Sequence, residues 1–364
     1  MRHTHGRITE VESRADLDRR LGAGARDLGG WRVRSVDLGG LRFERCRVAG
    51  TMFLGCRFDE GVEAEVRSRG AVVFPTLPDS PLDTYRGELY TAAELYGTGR
   101  YHESVDARGY AWSQDRDGDD RDRLLAATLH DHAIDLALAD WVRGRRLVGV
   151  MGGHAVRRGD QTYADAARLG RLLAQHHTVA TGGGPGAMEA ANLGAALSRQ
   201  PVEQLDAALD HLAGVPDFDC SIRDWAARGL DVLATLDDPA ESLGIPTWHY
   251  GHEPPNVFAT AIAKYVRNAV REAVLLEVCD AGIVFLPGAA GTIQEVFQDA
   301  CENYYADPAS IAPMVLVGRH HWTDQLPVWP LLQALARDRG MADHVHLVDD
   351  VEQAGEIVGN TPAG

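Results

Sequence analysis

Apolar side chains recur at every fifth position from Val33 through Leu38, Phe43, Val48 and Phe53 to Phe58. Two residues ahead of each stand Trp31, Val36, Leu41, Cys46, Thr51 and Cys56, mostly small or apolar, with arginine, glycine and acidic residues between. Neither a helix nor a flat strand has this period. The stretch therefore predicts either a repetitive coil or a meander of short strands, and in both cases packing surface without chemistry. From Ser80 to Asp122 the chain is polar, carries Tyr85, Tyr90, Tyr96, Tyr101 and Tyr110, and ends in an acidic run from Asp115 that is expected to be a solvated loop. Leu124, Leu125, Leu129, Ile134, Leu138 and Trp141 then fall at helical spacing and predict a helix over 123–141. His130-Asp131-His132 is expected on its solvated face. Adjacent residues point different ways on a helix, so they do not form a metal site.

From Leu147 onward short apolar runs alternate with helical patterns. Strands are expected at 147–151, 177–180, 245–250, 282–286, 313–318 and 344–348, and helices at 162–175, 189–197, 257–278, from 296, at 328–337 and from 351. Asn256 is the expected N-cap of the helix at 257–278. Residues 201–242 are acidic and helical and read as an insertion over the sheet. The alternation describes an α/β, doubly wound parallel sheet. Three regions follow: 1–80 with the five-residue pattern over about 31–60, a polar and helical connector at 81–145, and the α/β domain at 146–364.

Three of the predicted strands run into glycine-bearing loops: Gly152-Gly153, Thr181-Gly182-Gly183-Gly184-Pro185-Gly186-Ala187-Met188, and Pro287-Gly288-Ala289-Ala290-Gly291-Thr292-Ile293-Gln294-Glu295. A strand, a glycine turn and a helix start present free backbone N–H groups to an anion. Loops at the carboxyl ends of parallel strands converge on one crevice, where nucleotides bind. Glu295 sits one turn into the last of these helices, close enough to a held phosphate that its task must lie on another part of the ligand. Lys264, Arg267, Asn268 and Arg271 share a helical spacing and are expected to aim into the crevice from one face. His252, Glu253 and Asn256, in the turn ahead of them, are candidates to reach a base or ribose, although a plain structural turn serves as well.

Charge narrows the ligand. The 364 residues carry a formal net charge of −17, which excludes a nucleic-acid backbone or an anionic membrane as the main partner. The balance of 45% apolar and 24% charged residues is that of a soluble globular protein. The N-terminal residues lack the apolar core of a signal peptide, and no run is long enough to span a bilayer. Five cysteines without a CxxC pair predict reduced thiols in a cytoplasmic protein. Lys264 is the only lysine, which hints at a place where a compact ammonium is required.

The five-residue pattern resembles the pentapeptide-repeat family, which implies a short right-handed β-helix with the central residues inward. The motifs after Arg146, namely 148–153, Thr181 through Met188 and Pro287 through Glu295, resemble those of the LOG ("lonely guy") family in content and order. That resemblance covers about 146–364, with 201–242 as an added insertion. It implies a Rossmann-like phosphoribohydrolase that cleaves a nucleoside 5′-monophosphate, AMP-like or CMP-like, to free base and ribose 5-phosphate, with no cofactor or metal, as a homodimer or larger homo-oligomer. Carried over by position, Glu295 matches the family's catalytic glutamate and Arg271 its arginine, with Arg267 the fallback. Gly152, Gly153, Gly182, Gly183, Gly184, Gly186, Met188, Lys264, Asn268, Gly288, Gly291 and Thr292 would line the phosphate and nucleotide. Two departures stand out: Ala289 replaces the second glycine of the family's PGG loop, and its arginine–lysine pair becomes Arg271-Glu272. The competing reading is a nucleotide-binding sensor or scaffold without turnover. A pyridoxal-phosphate decarboxylase would need Lys264 as its Schiff-base residue.

Overall fold

In the computed structural model the residues described are 9–76, 80–97, 99–115, 120–249 and 253–359. They form two compact units, one of 1–88 with 115–137, the other of 89–114 with 138–364.

The first unit is built from a four-stranded parallel sheet in the order β1 (Thr9–Val11), β2 (Trp31–Arg34), β3 (Met52–Leu54) and β4 (Val72–Phe74), with α1 (Arg14–Gly22) and α2 (Val62–Ser68) between strands. Arg32 pairs with Met52 and Met52 with Val72, an offset of one strand every twenty residues. The isolated bridges Asp27–Arg47 and Asp37–Arg57 repeat the same offset. Twenty is four of the five-residue steps, so paired residues occupy equivalent positions of the five-residue pattern. Val33, Leu38, Phe43, Val48 and Phe53 are all buried in one core, joined by Leu17 of α1 and Val62 and Val66 of α2. Thr51, a polar residue at an inward position, is satisfied there because its hydroxyl donates to the Leu28 carbonyl at 2.8 Å.

The long helix α5 spans Asp120–Val142. His130 and Asp131 on it are buried and 3.1 Å apart, not solvated, whereas Leu124 and Leu125 are exposed. Ile134 and Leu138 are buried and His132 is exposed as expected, so the spacing located the helix and misassigned only part of its faces. No group of residues able to hold a metal occurs among the described residues.

The second unit contains a seven-stranded, wholly parallel sheet. Its strands in chain order are β5 (Leu147–Met151), β6 (Thr178–Thr181), β7 (Ser242–Gly244), β8 (Ala261–Ile262), β9 (Gly282–Phe285), β10 (Met314–Val317) and β11 (Val345–Val348). In space they lie as β11-β10-β9-β5-β6-β7-β8. After β5 the chain works outward one way to β8, then returns to the other flank of β5 and works outward to β11. The reversal between β5 and β9 opens a crevice at their carboxyl ends. The connecting helices are α6 (Gln161–Leu173), α7 (Ala187–Ala196), α10 (Asn268–Glu277), α11 (Ala290–Tyr305), α12 (Val328–Ala336) and α13 (Val351–Gly359). Strands covered on both faces read as continuous apolar runs, and β5, β9 and β10 are buried at every position. This arrangement is Rossmann-like. Among the described residues no helix is long and apolar enough to cross a membrane.

Residues 201–242 form α8 (Val202–Ala213) and α9 (Ile222–Leu233), fastened to α7 by a buried ion pair. Arg158 donates to the Glu189 carboxylate on α7 and to the Trp225 carbonyl at 3.0 Å on α9, and its guanidinium stacks over the Trp225 ring. Both partners are about 1% exposed.

Three segments depart from the expectations. The polar stretch after Ser80 contains α3 (Ala92–Tyr96) and α4 (Val105–Gln114), with Tyr90 and Tyr96 buried. The strand expected at 245–250 is β7, three residues earlier. The helix expected at 257–278 begins only at Asn268. Long-range pairing overrides helical preference there: Ile262 exchanges both backbone hydrogen bonds with Tyr90, and Thr247 bridges Tyr265. Asn256 does cap, but its Oδ1 accepts from the Phe258 and Ala259 N–H groups of a turn and not from a helix.

Arg158→Met is expected to destabilise the protein by about 3–5 kcal/mol, because it strands the buried Glu189 charge. Arg158→Met with Glu189→Met should recover most of that loss in urea denaturation. A double variant no more stable than the single one would show that the charge pair is not what holds 201–242.

Candidate active site

The loops after β5, β6 and β9 enclose a cavity of about 940 Å³. Every residue on its wall belongs to the second unit. Gly152 and Gly153 follow β5, and Gly182, Gly184 and Met188 follow β6. Gly288, Gly291, Thr292 and Glu295 follow β9, and Arg271 of α10 and Glu253 complete the expected set.

Helix α11 begins at Ala290, so Thr292 and Glu295 both lie on its opening turns. Its N-cap, Ala289, has no side chain to offer the first-turn N–H groups, which leaves them to a ligand. Ala289 has φ −109°, a conformation that any residue adopts, so its methyl carries no backbone strain. Gly288 is different: a Cβ there would lie 2.2 Å from the Thr292 hydroxyl. His321 Nε2 donates to the Gly288 carbonyl at 3.0 Å, tying this loop to the segment after β10.

Arg271 is the centre of the site. Its Nε donates to the Ile245 carbonyl at 2.7 Å and its Nη2 reaches the Gly182 carbonyl at 3.4 Å. Its Nη1 lies 3.0 Å from Glu272 and 3.6 Å from Glu295. A Cβ on Gly182 would fall 2.3 Å from the guanidinium, so only glycine lets the two approach. Glu295 is buried, and desolvation pushes its carboxyl up to about 7. Arg271 opposes the shift and Glu272 adds to it. One helical turn deeper, Asp299 is raised to about 8, first by burial and then by Glu302. Its Oδ2 has no hydrogen-bond partner among the described residues. Protonation near neutral pH removes the charge that burial penalises.

The remaining expected residues stand elsewhere. Lys264 does not line the cavity. It is fully buried, 2.5 Å from Asp106 and 4.9 Å from the centre of the Trp248 ring, and burial lowers its pKa against the pull of Asp106. The compact ammonium is therefore structural. Arg267 is exposed at the N-cap of α10, because the helix does not extend upstream of Asn268, and Asn268 at its first position bonds Glu272; neither is on the cavity wall. Gly183 and Gly186 shape the second loop through positive φ without lining the cavity. Asn256 is buried behind that loop: its N–H donates to the Gly183 carbonyl at 2.8 Å, and its side-chain amide to Gly184 at 3.1 Å and Asn192 at 3.0 Å. It positions the loop instead of contacting a ligand. His252 lies outside the described residues.

Sequence reasoning missed several wall residues, among them His154, Asp160, Thr247, His321 and Glu272. His154 is 3.7 Å from Glu253. Glu272 was visible as the departure beside Arg271; the others come from loops with no motif.

Residues 145–199, from just ahead of β5 to just past α7, match the model of the SLOG cluster4 family. Among solved structures the chain is similar to the molybdenum cofactor binding protein of the phototrophic bacterium Rippkaea orientalis, at 17% identity over 59% of this chain and 95% of that one, with a TM-score of 0.37. It is also similar to the structural-genomics target TM1055, at 19% identity over 60% of this chain and 99% of that one, with a TM-score of 0.38. No curated protein matches the chain.

The raised carboxyls make stability depend on pH. Asp299 binds its proton more tightly folded than unfolded, so its contribution is full below its unfolded value of 3.8 and is lost as pH rises through about 8. Glu295 acts with the same sign through about 7. Asp299→Asn should flatten the fall in melting temperature between pH 5 and 8. An unchanged slope would mean that Asp299 is ionised in the folded protein.

Proposed function

We propose that this chain hydrolyses the N-glycosidic bond of a nucleoside 5′-monophosphate, releasing free base and ribose 5-phosphate. The observation that carries the proposal is the buried Arg271–Glu295 pair inside a cavity walled by three glycine-bearing loops at the sheet's switch point. The first turn of α11 supplies backbone N–H groups for the phosphate, helped by the positive end of the helix dipole. Glu295, one turn along, then meets the ribose. Breaking the C1′–N bond builds positive charge on that sugar, which an adjacent carboxylate stabilises before directing water onto C1′. The bond's electron pair leaves with the base, which takes a proton, and water supplies the hydroxyl at C1′. Arg271 orients Glu295 and holds the ring of loops together. Lys264, ion-paired to Asp106 away from the cavity, does not suit a Schiff base.

For the first unit we infer a pentapeptide-repeat-type β-helix. The twenty-residue offset of the β2–β3 and β3–β4 pairs and the buried fifth residues support that reading. Following the LOG resemblance, we take the protein to act as a homodimer or larger homo-oligomer.

Incubation with a panel of monophosphates should release ribose 5-phosphate from at least one of them, at a rate that rises with pH through about 7 as Glu295 ionises. Glu295→Gln should lower release by roughly a hundredfold or more while leaving nucleotide binding nearly intact. Nucleotide binding without release from any monophosphate would favour the sensor reading. Gly182→Ala should also cut release, by displacing Arg271 from its two buried carboxylates, and should lower the melting temperature as well.

A further inference from the structure

A second cavity, of about 420 Å³, adjoins the first and shares His154, Ala155, Val156 and Glu253 of its wall. Its far side comes from the added segment 201–242, through Pro216, Asp217, Phe218, Asp219 and Trp225. The whole of it lies in the second unit. The added segment therefore borders the site, and the space it encloses is ample for a planar ring.

The order of the strands determines which part of a nucleotide reaches that space. β9, β5 and β6 are neighbours in that order, so the loop opening α11 and the loop after β6 stand on opposite sides of the crevice. Two strand spacings separate them, about 10 Å, which is the reach of a nucleotide from phosphate to base. With the phosphate at the first turn of α11 and the ribose at Glu295, the base points toward the β6 loop. The wall on that side is continuous: a Cβ on Gly182 would meet both Arg271 and Met188, and one on Gly184 would meet Met188 and lie 3.7 Å from Glu253 Oε2. Glu253 stands at the mouth of the second cavity.

The charges around that cavity leave a surplus of acceptors. Asp217 is paired with Arg157 and Glu189 with Arg158, whereas Asp219 forms no ion pair among the described residues. Glu253 accepts no hydrogen bond among the described residues, and its ion-pair contact there is His154 at 3.7 Å. Its side chain is 34% exposed and lines both cavities, so the carboxylate stands open to a ligand. An ionised carboxylate only accepts, and it takes two parallel N–H donors best. Guanine presents such a pair side by side, the ring N1–H and the 2-amino group. The amino groups of adenine and cytosine each adjoin a ring nitrogen whose lone pair a carboxylate repels. Half-buried Phe218, packed edge-on against Trp225, adds an aromatic surface for a base to stack on.

We propose that the segment 201–242 completes a base-recognition site: the second cavity receives the nucleobase, Phe218 stacks on it, and Glu253 accepts from the N1–H and 2-amino groups of guanine, so that the protein selects guanosine 5′-monophosphate. This rests on the nucleotide reading of the adjoining cavity.

The test is equilibrium binding, by titration calorimetry, to the full-length Glu295→Gln protein, in which turnover does not interfere. GMP is compared with IMP, which lacks only the 2-amino group, and with AMP and CMP. GMP should bind roughly ten- to a hundredfold more tightly than each of the others. Adding Glu253→Met, close in size and at most a weak acceptor, should bring GMP and IMP to within about threefold of each other. Adding Phe218→Ala should weaken both alike by roughly tenfold and leave their ratio unchanged. Thermal melting identifies any variant that fails to fold; should Glu253→Met fail, Glu253→Gln, which exchanges one acceptor for a donor, should narrow the preference in its place. Equal affinity for GMP and IMP, tighter binding of AMP or CMP, or a preference that survives in the folded Glu253 variants overturns the assignment to Glu253. An affinity unmoved by Phe218→Ala overturns the second cavity as the seat of the base. In each of these cases the nucleotide reading stands, whereas absence of binding by every monophosphate overturns both.

Discussion

The site depends on a single buried guanidinium. Arg271 gives hydrogen bonds to the loop after β6 and to the segment after β7, and its remaining nitrogen faces two carboxylates. A planar fork with several fixed donors can hold that many partners at once, which an ammonium cannot. The cost is spatial. The Gly182 backbone has to come within reach of the fork, and this leaves no room for a side chain on that residue. The glycine of the second loop and the arginine of α10 are therefore one requirement, separated by almost ninety positions in the chain.

Two further buried ion pairs hold the surroundings of the site. Asp106 on α4 is met by Lys264, by the Trp248 indole N–H at 3.0 Å and by the Tyr101 hydroxyl at 2.6 Å, so both of its oxygens are occupied. Glu189 on α7 is met by Arg158, which carries the added helices α8 and α9 with it. In each case a charge taken out of water is matched by an opposite charge and by further donors or carbonyls, the condition under which burial is tolerated. Both pairs secure segments peripheral to the sheet, at 89–114 and 201–242, against its carboxyl-end loops.

The sheet and its three loops were legible because their signals are local. Short apolar runs ending in glycine mark buried parallel strands whatever surrounds them, and Glu295 and Arg271 stand where the motif order placed them. What failed was whatever depends on pairing between distant residues. Ile262 extends toward Tyr90, and nothing in the neighbouring sequence announces that partner, so a helix was expected through Lys264. The same error carried Lys264 and Arg267 into the crevice. His130 and Asp131 looked like a solvated face because burial of a polar pair cannot be read from spacing. Asn256 was singled out as a cap and is one, but of a turn that fixes the second glycine loop.

The twenty-residue offset of the first unit sets a length quantum for its evolution. Insertion of a whole twenty-residue segment between β2 and β3 would keep every inward position inward and leave each parallel pair in the same register. A change of five residues would keep the inward side chains inward yet bring each strand opposite the wrong neighbour. A change that is not a multiple of five would do both kinds of damage. Lengthening of this unit should therefore proceed in steps of twenty residues, while the α/β unit, whose loops each meet a different partner, has no such unit of growth.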